Sequence, residues 1–324
     1  MWLLEVMHDV LIHSPYPRQK SQGNAVTALR MQNLLLESGF DVAIHERGDS
    51  PMDTSCLIAL NARKSAEEIV NFHERQPESA IVALLTGTDV NHPEMEDSNS
   101  ATINALKISS SIVSLHEGFS HRIPDFLQAK TSVIYPSVLL PAGLEHCATH
   151  PPKVIVAGNF RDEKNPNLMM EAARKVVDLP LHFHAYGAGA DYQQSLEEMV
   201  EGYPHFHFHG VQEHDVVLSA MQGAQLLLNT STEEGGANAI CEAVAMGLPV
   251  IASRIDGNVG MLGTDYAGFF TSGDVRSLTE LLNRITTDTE FYLGIKQQIQ
   301  QRARLFDYQR EAEQWAQLVR KMTK

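Results

Sequence analysis

Two carboxylates eight residues apart, Glu234 and Glu242, bracket a glycine-containing turn that leads from a strand into a helix. The apolar run 225–230 before them is short enough for one buried strand, and the helical pattern after them ends at Gly247. The free N–H groups and partial positive charge of a helix N-terminus suit a phosphate. Glu242 lies about two turns along this helix, where it could hold a neutral, hydroxyl-bearing part of the same ligand. The spacing therefore predicts a nucleotide-sugar site.

Two cations, Arg161 and Lys164, follow directly after another predicted strand. The chain has a formal net charge of −15, so a diphosphate site would need its few cations gathered in one place. The same net charge argues against nucleic acid or an anionic membrane surface as the main partner. A solvated charged loop is the alternative interpretation of this stretch. We favour the diphosphate interpretation.

Length and composition indicate a globular protein with two domains. The chain has 324 residues, 43% of them hydrophobic, and no apolar run approaches the ~20 residues of a membrane span. The N-terminus lacks the basic region of a signal peptide. The three cysteines, Cys56, Cys147 and Cys241, are scattered and odd in number, which fits reduced thiols. We therefore expect a cytoplasmic protein.

Short apolar runs alternate with helical patterns along the whole chain, which is typical of parallel α/β structure. The proline-rich segment 136–152 interrupts this alternation and is interpreted as a linker. We predict two Rossmann-like domains, residues 1–140 and 151–306, with ligands bound in a cleft and a last helix, 309–324, that crosses back to the first domain. Segment 254–265 is predicted to be a loop.

The stretch around Glu234 and Glu242 resembles the Glu-x7-Glu motif of GT-B glycosyltransferases of the retaining, glycosyltransferase-4-like kind. The resemblance implies that Glu234 approaches the donor sugar and Glu242 holds the nucleotide ribose. It also implies that the N–H groups of the turn meet the donor diphosphate; the residues concerned are Gly236, Ala237, Asn238 and Ala239. Stretch 158–164 resembles the family motif Gly-Arg-Leu-x-x-Glu-Lys. Lys164 and, in place of the family arginine, Arg161 would then neutralise the diphosphate, with no metal or cofactor.

A narrower resemblance is to the selenosugar synthases of the selenoneine pathway, in stretches 23–30, 58–65, 85–89, 234–238 and 252–263. It implies transfer of a sugar from a uridine diphosphate donor, UDP-GlcNAc or UDP-glucose, to selenophosphate. The residues expected around the substrates in the N-terminal half are Gly23 at the donor phosphates, Asn24, Arg63, Thr86, Gly87 and Thr88 at the acceptor, and Asp89, which could orient the acceptor, act as a base or only cap the next segment. Further cations that an anionic acceptor could use are Arg18, Lys20, Arg30 and Lys64. The chain departs from these synthases at Ala25, Met31 and Asn61, on the acceptor side.

Histidines on two predicted strands raise the question of a metal. His182 and His184 share one strand face, and His205, His207 and His209 share another, so zinc is possible in principle. No Asp-x-Asp occurs, and we expect no metal. Three alternative functions stay open: a transferase with a hydroxyl or thiol acceptor, a UDP-sugar epimerase, and a non-catalytic nucleotide-sugar binder.

Overall fold

The computed structural model describes residues 8–15, 23–47, 49, 53–141, 143–150 and 152–323. The chain divides into two compact units. The first unit is Met1–Pro136 together with Tyr308–Lys324, and the second is Ser137–Asp307. The last helix therefore belongs to the first unit, although it follows the second unit in sequence. The boundary between Pro136 and Ser137 lies at the start of the segment interpreted as a linker. In the part of the chain that the structure describes, no helix is long and apolar enough to cross a membrane.

The first unit is built on a parallel sheet of six strands in the order β2-β1-β3-β4-β5-β6. Its strands are β1 His8–Ser14, β2 Val42–Glu46, β3 Thr54–Leu60, β4 Ala80–Leu85, β5 Ser111–Ser114 and β6 Thr131–Val133. Its helices are α1 Gly23–Glu37, α2 Ala66–Arg75, α3 Ala101–Ile108, α4 Asp125–Gln128 and, at the end of the chain, α12 Tyr308–Met322. Short 3-10 turns occur at Pro93–Met95 and Glu117–Arg122.

Apolar side chains on both faces of this sheet form two cores, as a parallel sheet covered by helices requires. One core includes Leu11, Ile69 and Phe72. The other joins α1 to α12 and includes Met31 and Trp315, both almost completely buried. Ala312, Trp315 and Val319, which repeat at helical spacing, form the face of α12 that packs into this core.

The second unit is a parallel sheet of six strands in the order β12-β11-β10-β7-β8-β9. Its strands are β7 Lys153–Ala157, β8 His182–Tyr186, β9 Phe206–Phe208, β10 Leu226–Asn229, β11 Val250–Ser253 and β12 Phe269–Phe270. Its helices are α5 Pro166–Lys175, α6 Gln193–Gly202, α7 His214–Gln222, α8 Asn238–Met246, α9 Asp256–Leu262, α10 Val275–Thr287 and α11 Thr289–Ala303. Short 3-10 turns occur at Asp162–Lys164, Ala190–Tyr192 and Arg304–Phe306.

Counted within the second unit, this strand order is the 3-2-1-4-5-6 order of a dinucleotide-binding domain, and the order reverses between β7 and β10. Ligands of such sheets bind outside the carboxyl ends of the strands at this switch point. In the first unit the corresponding reversal lies between β1 and β3. These two positions direct attention to the residues that follow β7 and β10, and to those that follow β1 and β3.

One detail of the prediction was wrong. Segment 254–265, expected to be a loop, contains α9. The end of α8 was predicted correctly, because Gly247 adopts the left-handed conformation (φ 78°) that closes a helix and that glycine tolerates without strain.

Candidate active site

Lys164 and Glu234 meet at the switch point of the second unit. Lys164 ends the short turn after β7, and Glu234 follows β10 by five residues. The Lys164 ammonium (Nζ) lies 2.5 Å from Oε1 of Glu234. Sequence separates the two residues by 70 positions, and the parallel pairing of β7 with β10 brings them together. The predicted cation and the predicted catalytic carboxylate therefore share one site.

The Glu234 carboxylate is ionised and held in one orientation. Its side chain is 8% exposed. Besides Lys164, Asn229 Nδ2 (3.1 Å) and Ser231 Oγ (2.7 Å) donate hydrogen bonds to Oε1. Burial by itself would raise the pKa of Glu234, but the Lys164 ion pair and these hydrogen bonds lower it below its usual value. No described residue donates to Oε2, so this oxygen is left to a ligand.

The turn after Glu234 presents an uncapped helix N-terminus. α8 begins at Asn238, and Ala237, at the N-cap position, has no side chain that could satisfy the first N–H groups. Other helices of this unit do carry such a cap: Asn165 accepts from Leu168 N in α5. Gly236, Asn238 and Ala239 are partly exposed, whereas Ala237 is buried. The N–H groups of Asn238 and Ala239, the first two of α8, have no side-chain cap and are therefore available to an anion.

Glu242 lies one turn into α8 and is also engaged. Its side chain is 12% exposed, and Oε1 lies 2.8 Å from Nε2 of His214, the first residue of α7. This hydrogen bond raises the pKa of His214; burial opposes the rise, and the charges of Glu242 and Asp215 add to it. Sequence analysis missed His214, because nothing in the spacing of the two residues signals their contact.

Arg161 is not brought to this carboxylate pair. Its guanidinium lies 3.1 Å from Glu163 Oε1, and its side chain is 59% exposed. An exposed arginine at the edge of the site could still turn toward a phosphate, and its role as a cation at the diphosphate stays a prediction. Lys164 is the cation that the fold fixes in place.

In the first unit, Asn61 organises the loop that follows β4. Asn61 directly follows β3, is 1% exposed, and adopts a left-handed conformation (φ 59°) that is uncommon outside glycine. Its Nδ2 donates to the hydroxyls of Thr86 (2.8 Å) and Thr88 (2.9 Å). Because each hydroxyl accepts from Asn61, its own O–H remains available as a donor to a ligand. Asn61 was noted in the sequence only as a point of difference.

Asp89 does not fit the catalytic role predicted for it. It is completely buried, and its two oxygens accept hydrogen bonds from the backbone N–H groups of Ala62, Thr86, Gly87 and Val90. Burial raises the pKa of Asp89, although the backbone hydrogen bonds oppose the rise. A carboxylate enclosed in this way cannot reach a substrate; it holds the loop and the end of β3 together. Of the alternatives, capping is the one the geometry supports.

The other residues predicted in the first unit are placed as follows. Gly23 and Asn24 form the first turn of α1, and Thr27 Oγ1 donates to Gly23 O. Gly87 is buried, with its N–H bound to Asp89. Two predicted cations lie near acidic side chains: Arg30 forms an ion pair with Glu311 (3.2 Å), and Arg63 lies 3.9 Å from Glu94. The backbone N–H of Lys64 donates to the side chain of Asn61. Arg18 and Lys20 lie outside the described residues. Arg30 is thereby committed to a structural contact.

The histidine strands pair with each other. His184 Nδ1 lies 2.9 Å from His209 Nε2, and His182 Nδ1 lies 3.3 Å from His207 Nε2. Burial and the neighbouring histidines lower the pKa of His184 to about 4. Among the described residues, no group of three or more His, Cys, Asp or Glu could hold a metal ion.

The second unit is similar in sequence to known proteins. Residues 151–288, which contain both carboxylates and Lys164, match the model of the family described as Glycosyl transferases group 1. Over 143 residues the chain is 27% identical to sulfoquinovosyl transferase SQD2 of Arabidopsis thaliana, a match that covers 43% of this chain and 27% of that protein. The chain thus spans about a quarter of the length of the curated relative it matches.

Two solved structures resemble the whole chain. Sucrose-phosphate synthase from Thermosynechococcus elongatus has a TM-score of 0.75 and 15% identity, over 96% of this chain and 98% of that one. HepE of Anabaena, in complex with UDP and glucose, has a TM-score of 0.72 and 16% identity, over 96% and 99%. The fold of the whole chain is thus that of GT-B glycosyltransferases, and the predicted fold is confirmed. The family match over residues 151–288 supports the predicted enzyme class.

Proposed function

We propose that this protein transfers a sugar from a UDP-sugar to a small anionic acceptor, and that the acceptor is selenophosphate. The observation that carries the donor half of the proposal is the Lys164–Glu234 pair at the switch point. Beside it stand the uncapped start of α8 and the Glu242 carboxylate. Cation, helix N-terminus and hydroxyl-binding carboxylate match the diphosphate, the sugar and the ribose of such a donor.

The chemical step breaks the bond between the anomeric carbon and the diphosphate oxygen, and UDP leaves with the electron pair. The selenium of selenophosphate supplies the electron pair of the new carbon–selenium bond. Negative charge therefore grows on the leaving diphosphate, where the Lys164 ammonium and the first N–H groups of α8 would stabilise it. Glu234 would orient the sugar through Oε2, since its Oε1 is occupied.

Different observations support the proposed nucleotide and the proposed acceptor. HepE, one of the structures that this chain resembles, binds UDP and glucose, and UDP-glucose is bound in another structure of it. The acceptor rests on the resemblance to selenosugar synthases and on the Asn61–Thr86–Thr88 cluster. Two oriented hydroxyl donors at the end of β4 suit the oxygens of a phosphate-like acceptor.

The test is incubation with UDP-GlcNAc or UDP-glucose and selenophosphate, followed by mass spectrometry. We expect UDP release together with a hexose that carries the selenium isotope pattern. Phosphate and thiophosphate in place of selenophosphate serve as matched acceptors. UDP release only with a hydroxyl or thiol acceptor would contradict the selenium half and leave the donor half standing.

Two further outcomes would overturn the transferase itself. Inversion of the sugar without any acceptor would indicate an epimerase. Binding of the donor without turnover for any acceptor would indicate a nucleotide-sugar binder. If neither UDP nor a UDP-sugar binds, the donor assignment is wrong as well.

A further inference from the structure

A buried polar chain runs from α9 to the Glu234 carboxylate. Asn258 on α9 is completely buried. Its Nδ2 donates to Ser253 O (3.0 Å), to Ser253 Oγ (3.1 Å) and to Asn229 Oδ1 (3.1 Å). Asn229 in turn donates from Nδ2 to Glu234 Oε1. No hydrogen bond to the Glu234 carboxylate comes from Asn258 itself, so its effect on Glu234 is indirect, and Asn229 is the residue that contacts both.

Each hydrogen bond on the path from Asn258 to Glu234 has a fixed donor and acceptor. The carbonyl of Ser253 can only accept, so the Asn258 amide must turn its Nδ2 toward it. Asn229 Oδ1 then receives a hydrogen bond from Asn258 and a second one from Ser231 N (3.2 Å). With its oxygen engaged by two donors, the Asn229 amide must present its N–H groups to Glu234. If this amide were reversed, its oxygen would face Oε1 and repel it.

Ser231 is tied into the same network. Its hydroxyl donates to Glu234 Oε1 (2.7 Å), and its carbonyl accepts a short hydrogen bond from Ser253 Oγ. The backbone of α9 also packs closely against the backbone of Glu234. A Cβ atom added to Gly257 would lie only 2.2 Å from the carbonyl oxygen of Glu234. The position of α9 and the orientation of Glu234 are therefore set together.

We propose that Asn258 is a positioning residue: it fixes the Asn229 amide so that the Glu234 carboxylate keeps Oε1 bound and turns Oε2 toward the donor sugar. The proposal rests on the proposed function for the role of Glu234. The Asn258 oxygen has no partner among the described residues, although it is buried. A buried orphan oxygen destabilises a fold. An apolar side chain of similar size at position 258 would remove this unpartnered oxygen. It would also remove the hydrogen-bond donor to Asn229.

The variant Asn258→Leu isolates this role, because each acceptor of the Asn258 amide keeps another hydrogen bond. Ser253 O still accepts from Ile255 N, Asn229 Oδ1 still accepts from Ser231 N, and Ser253 Oγ still donates to Ser231 O. We expect kcat for UDP release to fall about tenfold, in line with a weakened hydrogen bond to a charged group. The affinity for UDP should stay within about twofold of the wild type, since UDP lacks the sugar that Glu234 orients.

Two readouts separate positioning from a general disturbance of α9. The acidic limb of the kcat profile should move to higher pH in Asn258→Leu, because a weaker hydrogen bond raises the pKa of Glu234. Met261→Leu, a volume-conserving change in the buried face of α9, should leave both kcat and this limb unchanged. Unchanged kcat and an unchanged limb in Asn258→Leu would overturn the proposal.

A double-mutant cycle with Asn229→Ala tests the path of the effect. If Asn258 acts through Asn229, the double variant should lose no more activity than Asn229→Ala alone. If the losses of activity in the two single variants add in the double variant, the proposal is overturned. Retained UDP binding serves as the control that each variant is folded. A wild type that never turns over a UDP-sugar would contradict the proposed function instead, so the two failures are distinguishable.

Discussion

Among the described residues, Lys164 is the one charged partner of Glu234, and Glu234 is almost completely buried. Separating a buried ion pair leaves an uncompensated charge, which is strongly unfavourable. A diphosphate next to Lys164 would therefore not compete with Glu234 for the cation but would share it, as ammonium groups with three donors can. In an acidic chain this one lysine would supply positive charge to both the carboxylate and the proposed donor.

Replacing Lys164 should weaken donor binding. In Lys164→Ala we expect a ten- to hundredfold loss of UDP affinity, because charge-assisted hydrogen bonds contribute about 1.5–3 kcal/mol each. Calorimetric titration of UDP measures it. Lys175→Ala removes a lysine that is 52% exposed on α5 and serves as the matched control. Equal affinities for all three proteins would exclude Lys164 from the donor site.

The contact between His214 and Glu242 predicts a pH dependence of nucleotide binding. The pKa of His214 is raised by its hydrogen bond to Glu242, so the contact is strongest below the usual pKa of about 6.5 and is lost as pH rises through the raised value. If ribose hydroxyls take the place of His214 on Glu242, UDP affinity should increase over this rise by about two- to fivefold, the range for a largely exposed pair.

His214→Gln is the control for this prediction, since it removes the titrating group and keeps a side chain that can donate. Titration of UDP between pH 6 and pH 8.5 should then give a flat profile for the variant and a rising one for the wild type. An affinity that falls with rising pH in the wild type would instead indicate that protonated His214 itself binds the nucleotide.

At the scale of the element, the start of α8 combines a backbone suited to a cap with a residue that cannot cap. Ala237 has the extended conformation typical of an N-cap (φ −65°, ψ 110°) but no hydroxyl or carboxylate. A protein selected only for stability would have a serine or an aspartate here. The absence of a cap leaves the first-turn N–H groups for a ligand.

Ala237→Ser should therefore raise stability and lower affinity at once. We expect the free energy of unfolding to increase by about 0.5–2 kcal/mol, the usual contribution of such a cap, while UDP binds several-fold more weakly. Thermal unfolding and calorimetry measure the two effects. Ser100→Ala, which removes the cap of α3 in the first unit, should lower stability without changing UDP affinity. Tighter UDP binding in Ala237→Ser would contradict the anion site.

The elements that sequence predicted well are those with strong local signals. Buried parallel strands appear as short apolar runs, and α8 ends at a glycine, so both could be predicted from the printed sequence. α9 could not, because Gly257 and Gly260 are poor helix formers. Contacts from distant residues support it instead: Arg302 Nη2 donates to Gly260 O (2.8 Å) and Arg302 Nε to Met261 O (3.1 Å).

The same division applies to the site. Glu234, Glu242 and Lys164 could be named as candidates because each follows a recognisable strand or turn, and their roles stay predictions. The packing of α7 brings His214 to Glu242, and the packing of α9 brings Asn258 to Asn229, which no local pattern reveals. Asp89 shows the opposite error: an acidic residue at a strand end looks accessible in a sequence, and only the folded chain shows that backbone N–H groups enclose it.

At the scale of the whole molecule, the first unit is completed by the last helix of the chain. α12 covers α1 through Trp315, and Glu311 on α12 pairs with Arg30 on α1 and accepts from Trp315 Nε1 (3.3 Å). The first unit therefore cannot reach its final packing until α12 is present. The family match ends before this helix, at residue 288.

Trp315→Ala should destabilise the first unit selectively. A large aromatic side chain removed from a core costs about 3–5 kcal/mol, so the unfolding of this unit should shift to lower temperature. UDP affinity should be retained, because Lys164, Glu234 and Glu242 belong to the second unit. Leu293→Ala, at a position that is 55% exposed, should have almost no effect on unfolding. Loss of UDP binding in folded Trp315→Ala would contradict this separation.

The most direct test of the donor site is the titration of UDP into Glu242→Ala beside the wild type. Glu242 is the carboxylate assigned to the ribose, and its nearest partner in the described part of the chain is His214 rather than a core residue. The predicted result is a loss of UDP affinity of a hundredfold or more, on the order of two charge-assisted hydrogen bonds, with the fold retained. An unchanged affinity in a folded variant would contradict the assignment of this site to a nucleotide-sugar.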